Sequence, residues 1–134
     1  MQKYLLDTNT CIFYIRGKYR LNEKFKAVGF EYCYISEITL AELKYGAECS
    51  DRVAENKQLI DEFAKEINIL PVFDSFDVYA KEKARLRRNG NLVDDFDLLI
   101  ASSALFHRMV LVTDNVKHFA RINSIQIENW IERE

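Results

Sequence analysis

The chain has 134 residues, 49% apolar and 30% charged, with a formal net charge of −2 and a pI near 5.8. That length suits a single domain, residues 1–134, with a sizeable core, and the composition is that of an ordinary globular protein. The charge balance argues against a nucleic-acid binder held by bulk charge, so any such contact must use a local basic patch.

MQKYLLDTNT opens the chain and turns polar too soon for a signal peptide, and no apolar run approaches membrane length. Tyr4-Leu5-Leu6 reads as a first strand, followed by a helix that opens within Asp7-Thr8-Asn9-Thr10. Arg16, Lys18, Arg20, Lys24 and Lys26 form one basic cluster. Cys33-Tyr34-Ile35 is a second strand, leading into the helix of Ile38-Thr39-Leu40-Ala41-Glu42-Leu43. Val53, Ile60, Phe63 and Ile67 make an apolar helical stripe, and Ile67 to Leu70 make a third strand. Phe76, Tyr79, Ala80 and Ala84 form another stripe, on a helix that also carries Lys81, Lys83, Arg85, Arg87 and Arg88. VDDFDLLIASSALF opens a helix with three acids and continues with Ala101-Ser102-Ser103-Ala104, which is small on every side and suited to close packing. Val110-Leu111-Val112 is a fourth strand, and Ile125-Gln126-Ile127 a short fifth at an edge. Strands alternating with helices imply a mostly parallel sheet covered on both faces. Cys11, Cys33 and Cys49 are widely spaced with no CxxC; Cys11 and Cys33 read as small core residues in a reducing cytoplasm.

Four acids stand out. Asp7 ends the first strand and reads as an N-cap. Thr39 and Glu42 have the spacing of a capping box, with Ile38 and Leu43 as its hydrophobic staple. Asp94 can cap its helix with Asp95 and Asp97 in the first turn, which does not explain why Asp97 lies between Phe96 and Leu98. Asp114 follows the fourth strand as a turn or cap residue. Three of these helices directly follow a strand, so they begin at the carboxyl edge of a parallel sheet, where ligands of open α/β folds bind. Converging carboxylates must take up protons or share a cation. His107 and His118 stand alone, so there is no zinc constellation, and all-oxygen ligands favour Mg²⁺ or Mn²⁺. A metal held by Asp7 and Asp97 would activate a water against a phosphodiester, with Glu42 orienting the water or accepting its proton. Thr8, Asn9, Thr113 and Asn115 are candidates to fix the carboxylates.

The chain resembles PIN-domain ribonucleases, specifically VapC-type toxins of bacterial toxin–antitoxin pairs. LLDTNTCIF, ISEITLAELKYGAE, the helix opening Asp97-Leu98-Leu99-Ile100-Ala101, LVTDNVKHFARI and IQIENW carry the resemblance. It implies a three-layer α/β/α sandwich with a mostly parallel sheet of about five strands. It also implies Mg²⁺- or Mn²⁺-dependent endoribonuclease activity on structured RNA, with transfer RNA the favoured class. Asp7, Glu42 and Asp97 match the family's acidic triad. Some members place a fourth acid two residues after the threonine, where this chain has Asn115, and Asp114 is the nearest acid, giving an expected metal set of Asp7, Glu42, Asp97 and Asp114. Homodimers, inhibition by a VapB-type antitoxin inserted into the active-site groove, and contact with operator DNA only through that antitoxin are further implications. Three other readings remain: a phosphatase using Asp7 as nucleophile, a non-catalytic α/β binding module whose acids merely cap helices, and metal-dependent cleavage of DNA.

Overall fold

The computed structural model describes residues 1–133. Five strands, β1 (Tyr4–Leu6), β2 (Cys33–Ser36), β3 (Asn68–Leu70), β4 (Val110–Val112) and β5 (Ile127–Glu128), form one sheet in the order β3-β2-β1-β4-β5. Every pairing is parallel, with Leu5 opposite both Tyr34 and Leu111, and Leu6 opposite Val112. Seven helices join or flank the strands among the described residues: α1 (Thr8–Ile15), α2 (Leu21–Val28), α3 (Glu37–Glu48), α4 (Val53–Glu66), α5 (Phe76–Arg88), α6 (Asp95–Phe106) and α7 (Val116–Phe119). None is long and apolar enough to cross a membrane.

The two-residue period of a strand divides the core into two. Leu6, Cys33, Ile35 and Val112 face one side, where α1 to α4 contribute Cys11, Leu21, Phe25, Leu43, Ala47, Ile60 and Phe63. Leu5 and Leu111 face the other, where α5 to α7 contribute Leu86, Leu98, Ile100, Ala101, Ala104 and Phe119. Helix layer, sheet and helix layer make the expected three-layer sandwich, and its middle strands are apolar throughout because both their faces are covered. Cys11 and Cys33 are buried free thiols; burial pushes the Cys33 thiol up to about 11.

The structure moves three details from where the sequence puts them. The apolar stripe Phe76, Tyr79, Ala80, Ala84 is not the buried face of α5: Phe76, Ala80 and Ala84 are exposed. Instead Tyr79, Glu82, Lys83 and Leu86 turn inward, because Leu86 is the one large aliphatic on the helix and fixes the i, i+3, i+4, i+7 face that meets the core. The polar members of that face are satisfied by Glu82 with Arg85 at 2.8 Å and by Lys83 with Asp95 at 2.8 Å. Ile67 does not begin β3 but closes α4 and drops into the core. The fifth strand is Ile127–Glu128 rather than residues 125–127, an edge strand held against β4 by Leu111 N–H donating to Gln126 C=O at 2.8 Å. Ala101-Ser102-Ser103-Ala104 is buried along its whole length, as small side chains require at close approach, and Ser103 Oγ meets Ser75 Oγ at 3.2 Å.

Candidate active site

Strand order reverses between β1 and β4, since the chain builds outward from β1 through β2 and β3 on one side and through β4 and β5 on the other. The crevice at the carboxyl ends of those two strands is the ligand position of such a sheet. Asp7 stands at its mouth. Its backbone N–H donates to Val112 C=O at 3.0 Å, extending the β1–β4 ladder by one residue. Its side chain caps α1: Oδ1 accepts from Thr10 N–H at 2.9 Å. Oδ2 accepts from Thr113 Oγ1 at 2.5 Å, a bond that spans the crevice from the end of β4. Thr113 is locked in turn by accepting Asn115 N–H at 3.0 Å.

Glu42 has no capping role. β2 runs on through Ser36, whose Oγ accepts Ile38 N–H at 3.1 Å and so takes the cap of α3. The Thr39–Glu42 capping box is therefore displaced: Thr39 is buried inside the first turn, and Glu42 lies one turn further on. Glu42 Oε1 instead accepts from Thr8 Oγ1 of α1 at 2.7 Å. With the cap taken by Ser36, capping does not explain Glu42.

Asp97 reaches the same edge from the opposite helix layer. α6 runs down into β4 through a short turn, so its start lies at the carboxyl edge. Asp94 caps it, with its Oδ2 accepting Phe96 N–H at 3.2 Å, which leaves Asp97 free of that duty. Asp97 Oδ2 lies 3.1 Å from Nε2 of His118 on α7.

Burial pushes the carboxyls of Asp7, Glu42 and Asp97 all upward, and neighbouring acids add to it: Asp97 at Asp7, Asp97 with Asp94 and Asp7 at Glu42, and Asp94 at Asp97. Desolvation is the largest cause in each case. Hydrogen bonds from Thr113 and Thr10 partly offset it for Asp7, and one from Thr8 does so for Glu42. The Asp97 charge raises both Asp7 and Glu42, while His118 opposes the rise at Asp97 itself. Among the described residues, no Lys or Arg is ion-paired with any of the three.

Asp114 shares no hydrogen-bond partner with the other three among the described residues. Its carboxylate faces Arg133 at 2.5 Å and Asn129 at 3.1 Å, and the hydrogen bond from Arg133 holds it below the usual carboxylate range. Of the four supporting residues expected, Thr8 and Thr113 hold carboxylates, and Asn115 supplies only its backbone N–H. Asn9 is exposed. Sequence reasoning missed Thr10, whose N–H binds Asp7, and passed over His118 as a lone histidine. His118 lies four residues past Asp114, and only the turn of α7 brings it back over the site.

The donor set fits a hard divalent ion held largely through water. No three His, Cys, Asp or Glu side chains of the described residues close around one point, so a fully protein-built cage is absent. An ion taking one or two carboxylates and retaining waters needs no such cage. Uncompensated, partly desolvated carboxylates are the observation that fits it.

Beside Glu42 lies a groove of about 230 Å³ between α1, α3 and α4, walled by Ile12, Ile15, Leu43, Leu59 and Ile60, with Arg16 on its rim. The basic cluster on α5 is half neutralised by Glu82 and Asp95, leaving Lys81, Arg87 and Arg88 in no ion pair among the described residues. Arg16, Lys18, Arg20, Lys24 and Lys26 are likewise in none, and Lys24 sits 5.6 Å from the ring centre of Trp130.

The sequence profile of the PIN domain matches residues 4–125. A tRNA(fMet)-specific endonuclease VapC of Salmonella typhimurium is 38% identical over 132 residues, 97% of this chain and 99% of that protein. The DNA-bound VapBC complex of Salmonella typhimurium contains a chain that superposes with a TM-score of 0.91 at 37% identity, covering 97% of this chain and 99% of that one. VapBC2 from Rickettsia felis, bound to a DNA fragment from its promoter, gives a TM-score of 0.85 at 32% identity over 96% and 99%. Similarity at that level along almost the whole length, on a sheet whose crevice gathers Asp7, Glu42 and Asp97, means that this chain belongs to the PIN-domain family, among the VapC ribonucleases.

Proposed function

We propose that the protein is the toxin of a VapBC-type pair, a Mg²⁺- or Mn²⁺-dependent endoribonuclease that cuts structured RNA, with transfer RNA as its substrate class. The observation that carries this reading is the meeting of three carboxylates raised by burial, Asp7 after β1, Glu42 of α3 and Asp97 of α6, at the β1–β4 crevice with no Lys or Arg ion-paired to them among the described residues. A divalent ion bound there would neutralise charge on a phosphodiester and make a water more acidic.

The chain's own residues then have separate tasks. Asp7, clamped on both oxygens by Thr10 and Thr113, is a fixed anchor for the ion, and Asp97 is a second anchor. Glu42, raised by burial and aimed by Thr8, takes the proton of the attacking water. The water oxygen bonds to phosphorus, the bond from phosphorus to the 3′ oxygen breaks, and that oxygen takes a proton from solvent, leaving a 5′-phosphate and a 3′-hydroxyl. Arg16, beside Glu42, and the unpaired cations Arg87 and Arg88 are placed to meet RNA phosphates, so binding should weaken steeply with salt. The relative named as a tRNA(fMet)-specific endonuclease supports the substrate class.

The phosphatase and binding-module readings fit less well. An Asp7 nucleophile in an Asp-x-Asp-x-Thr pattern needs a second acid two residues on, where this chain has the exposed Asn9. A module whose acids only cap helices explains Asp7 and Asp94 but neither Glu42 nor Asp97, because Ser36 and Asp94 hold those caps.

The apolar groove beside Glu42 is suited to an amphipathic segment of a VapB-type antitoxin, and the VapBC complexes among the structural neighbours support that partner. Operator DNA would be reached only through the antitoxin. Phe73, Phe76, Leu92 and Phe96 are exposed on segments around α5 and α6, and we assign them to a homodimer contact; Tyr14 and Phe30 instead pack with Phe25 in the core. The setting is the cytoplasm, with residues 1–134 acting as one unit. The decisive experiment is cleavage of total RNA with end mapping, comparing wild type and Asp97→Asn with and without Mg²⁺ or Mn²⁺. Metal-dependent cuts bearing 5′-phosphates, absent from the variant, are expected. Cuts retained by the variant would refute the assignment.

A further inference from the structure

We propose that His118 is a nitrogen donor to the divalent ion of this site, and that it biases the site toward Mn²⁺ over Mg²⁺. The inference rests on the metal-dependent reading above and deepens it.

The local fold aims the imidazole. α7 is a single turn after β4, pinned by Phe119, which is buried in the core. The residue before it projects about 100° round the helix, and the His118 ring is braced edge-on against Phe119 at 5.3 Å between centres. That places Nε2 3.1 Å from Asp97 Oδ2, with the His118 side chain 23% exposed. No other pair of Asp, Glu or His side chains in the described residues is hydrogen-bonded. Two neighbouring donors on an octahedral ion with bonds of ~2.1 Å lie ~3 Å apart, so the spacing already suits shared coordination.

Charge argues the same way. Whichever of Asp7, Glu42 and Asp97 reach the ion, directly or through its waters, already bring negative charge to it. A fourth carboxylate would add repulsion, whereas a neutral imidazole adds a lone pair and no charge. The acid expected from this loop, Asp114, is turned away and held by Arg133 and Asn129. Among the described residues no Lys or Arg is ion-paired with the three acids, Lys83 being paired with Asp95 and Arg85 with Glu82. His118 is the one side-chain nitrogen hydrogen-bonded to any of the three acids among the described residues. Mg²⁺ selects oxygen donors almost exclusively, and a mixed set of carboxylates and imidazole suits a softer first-row ion better.

The test uses the full chain without RNA. Mn²⁺ binding is titrated by electron paramagnetic resonance, Mg²⁺ by competition against it, and the bound Mn²⁺ is probed by electron spin-echo modulation. Wild type should show modulation from a directly coordinated imidazole nitrogen. His118→Ala should lose it and bind Mn²⁺ about 10–100-fold more weakly, with a much smaller change for Mg²⁺. His118→Glu should restore binding with the preference moved toward Mg²⁺. Bound Mn²⁺ without nitrogen modulation in the wild type, or an unchanged Mn²⁺ to Mg²⁺ ratio in His118→Ala, would overturn the assignment of His118 and leave the metal site standing. No Mn²⁺ binding by the wild type would overturn both.

Discussion

Replacing Asp97 with Asn separates the two jobs that an acid at a helix start can perform. Asp94 already caps α6, so the substitution removes a charge without removing a cap, and an amide at position 97 can still meet His118. Asp97 raises both Asp7 and Glu42 by its charge, and its own carboxyl is raised by burial. A carboxyl raised by the fold contributes stability below its unfolded value near 4 and loses it as pH climbs through the folded value. Metal-free wild type should therefore lose stability relative to Asp97→Asn as pH rises above about 4. Two unit charges ~7 Å apart at an effective dielectric near 20 repel by roughly 2 kcal/mol. The Asp97 side chain is 35% exposed, so solvent screening reduces this to about 1 kcal/mol. An unfolding entropy of ~2.1 cal/mol/K per residue over 134 residues converts 1 kcal/mol to about 3–4 °C. Scanning fluorimetry at pH 7 in chelator should then place the variant about 2–4 °C above wild type. At Mn²⁺ one hundred times its dissociation constant, wild type should gain about 2.7 kcal/mol, or about 10 °C, and the variant little. An equal metal-induced rise in both proteins would refute the reasoning. So would a metal-free variant several degrees below wild type, since that would make Asp97 a structural acid.

Thr113→Val keeps the shape but removes the hydroxyl that donates to buried Asp7; urea denaturation should show a loss of about 1–3 kcal/mol, and cleavage should fall about 10–100-fold. Asp114→Asn should leave cleavage and Mn²⁺ affinity within about two-fold of wild type and cost at most ~1 kcal/mol in the same assay, because its partner Arg133 is half exposed. A loss of Mn²⁺ binding in that variant would return Asp114 to the site. Ala101→Leu forces extra volume into the close contact of α6 with its neighbours and should destabilise by about 1–3 kcal/mol, seen as a lower urea midpoint with an unchanged slope.

Much of this protein was written along the chain. Strands of two or three consecutive apolar residues, each followed by a helix, suffice for a parallel sheet covered on both faces, because such strands are buried twice over and need crossover helices between them. Asp7 and Asp94 are legible as caps because capping is local, settled within three or four residues. Tertiary structure decided everything that depends on which elements meet. Glu42 resembled a capping residue until β2 carried the chain on to Ser36 and gave that residue the cap. α5 offered two possible faces, and the position of Leu86 against the core chose between them. Asp114 and His118 are four residues apart, and the sequence favoured the acid. The single turn of α7, anchored by Phe119, sends the acid toward Arg133 and the imidazole toward Asp97. Periodicity and caps are set by near neighbours, whereas the partners of Asp7, Glu42 and Asp97 are set by whatever the fold brings across from other parts of the chain.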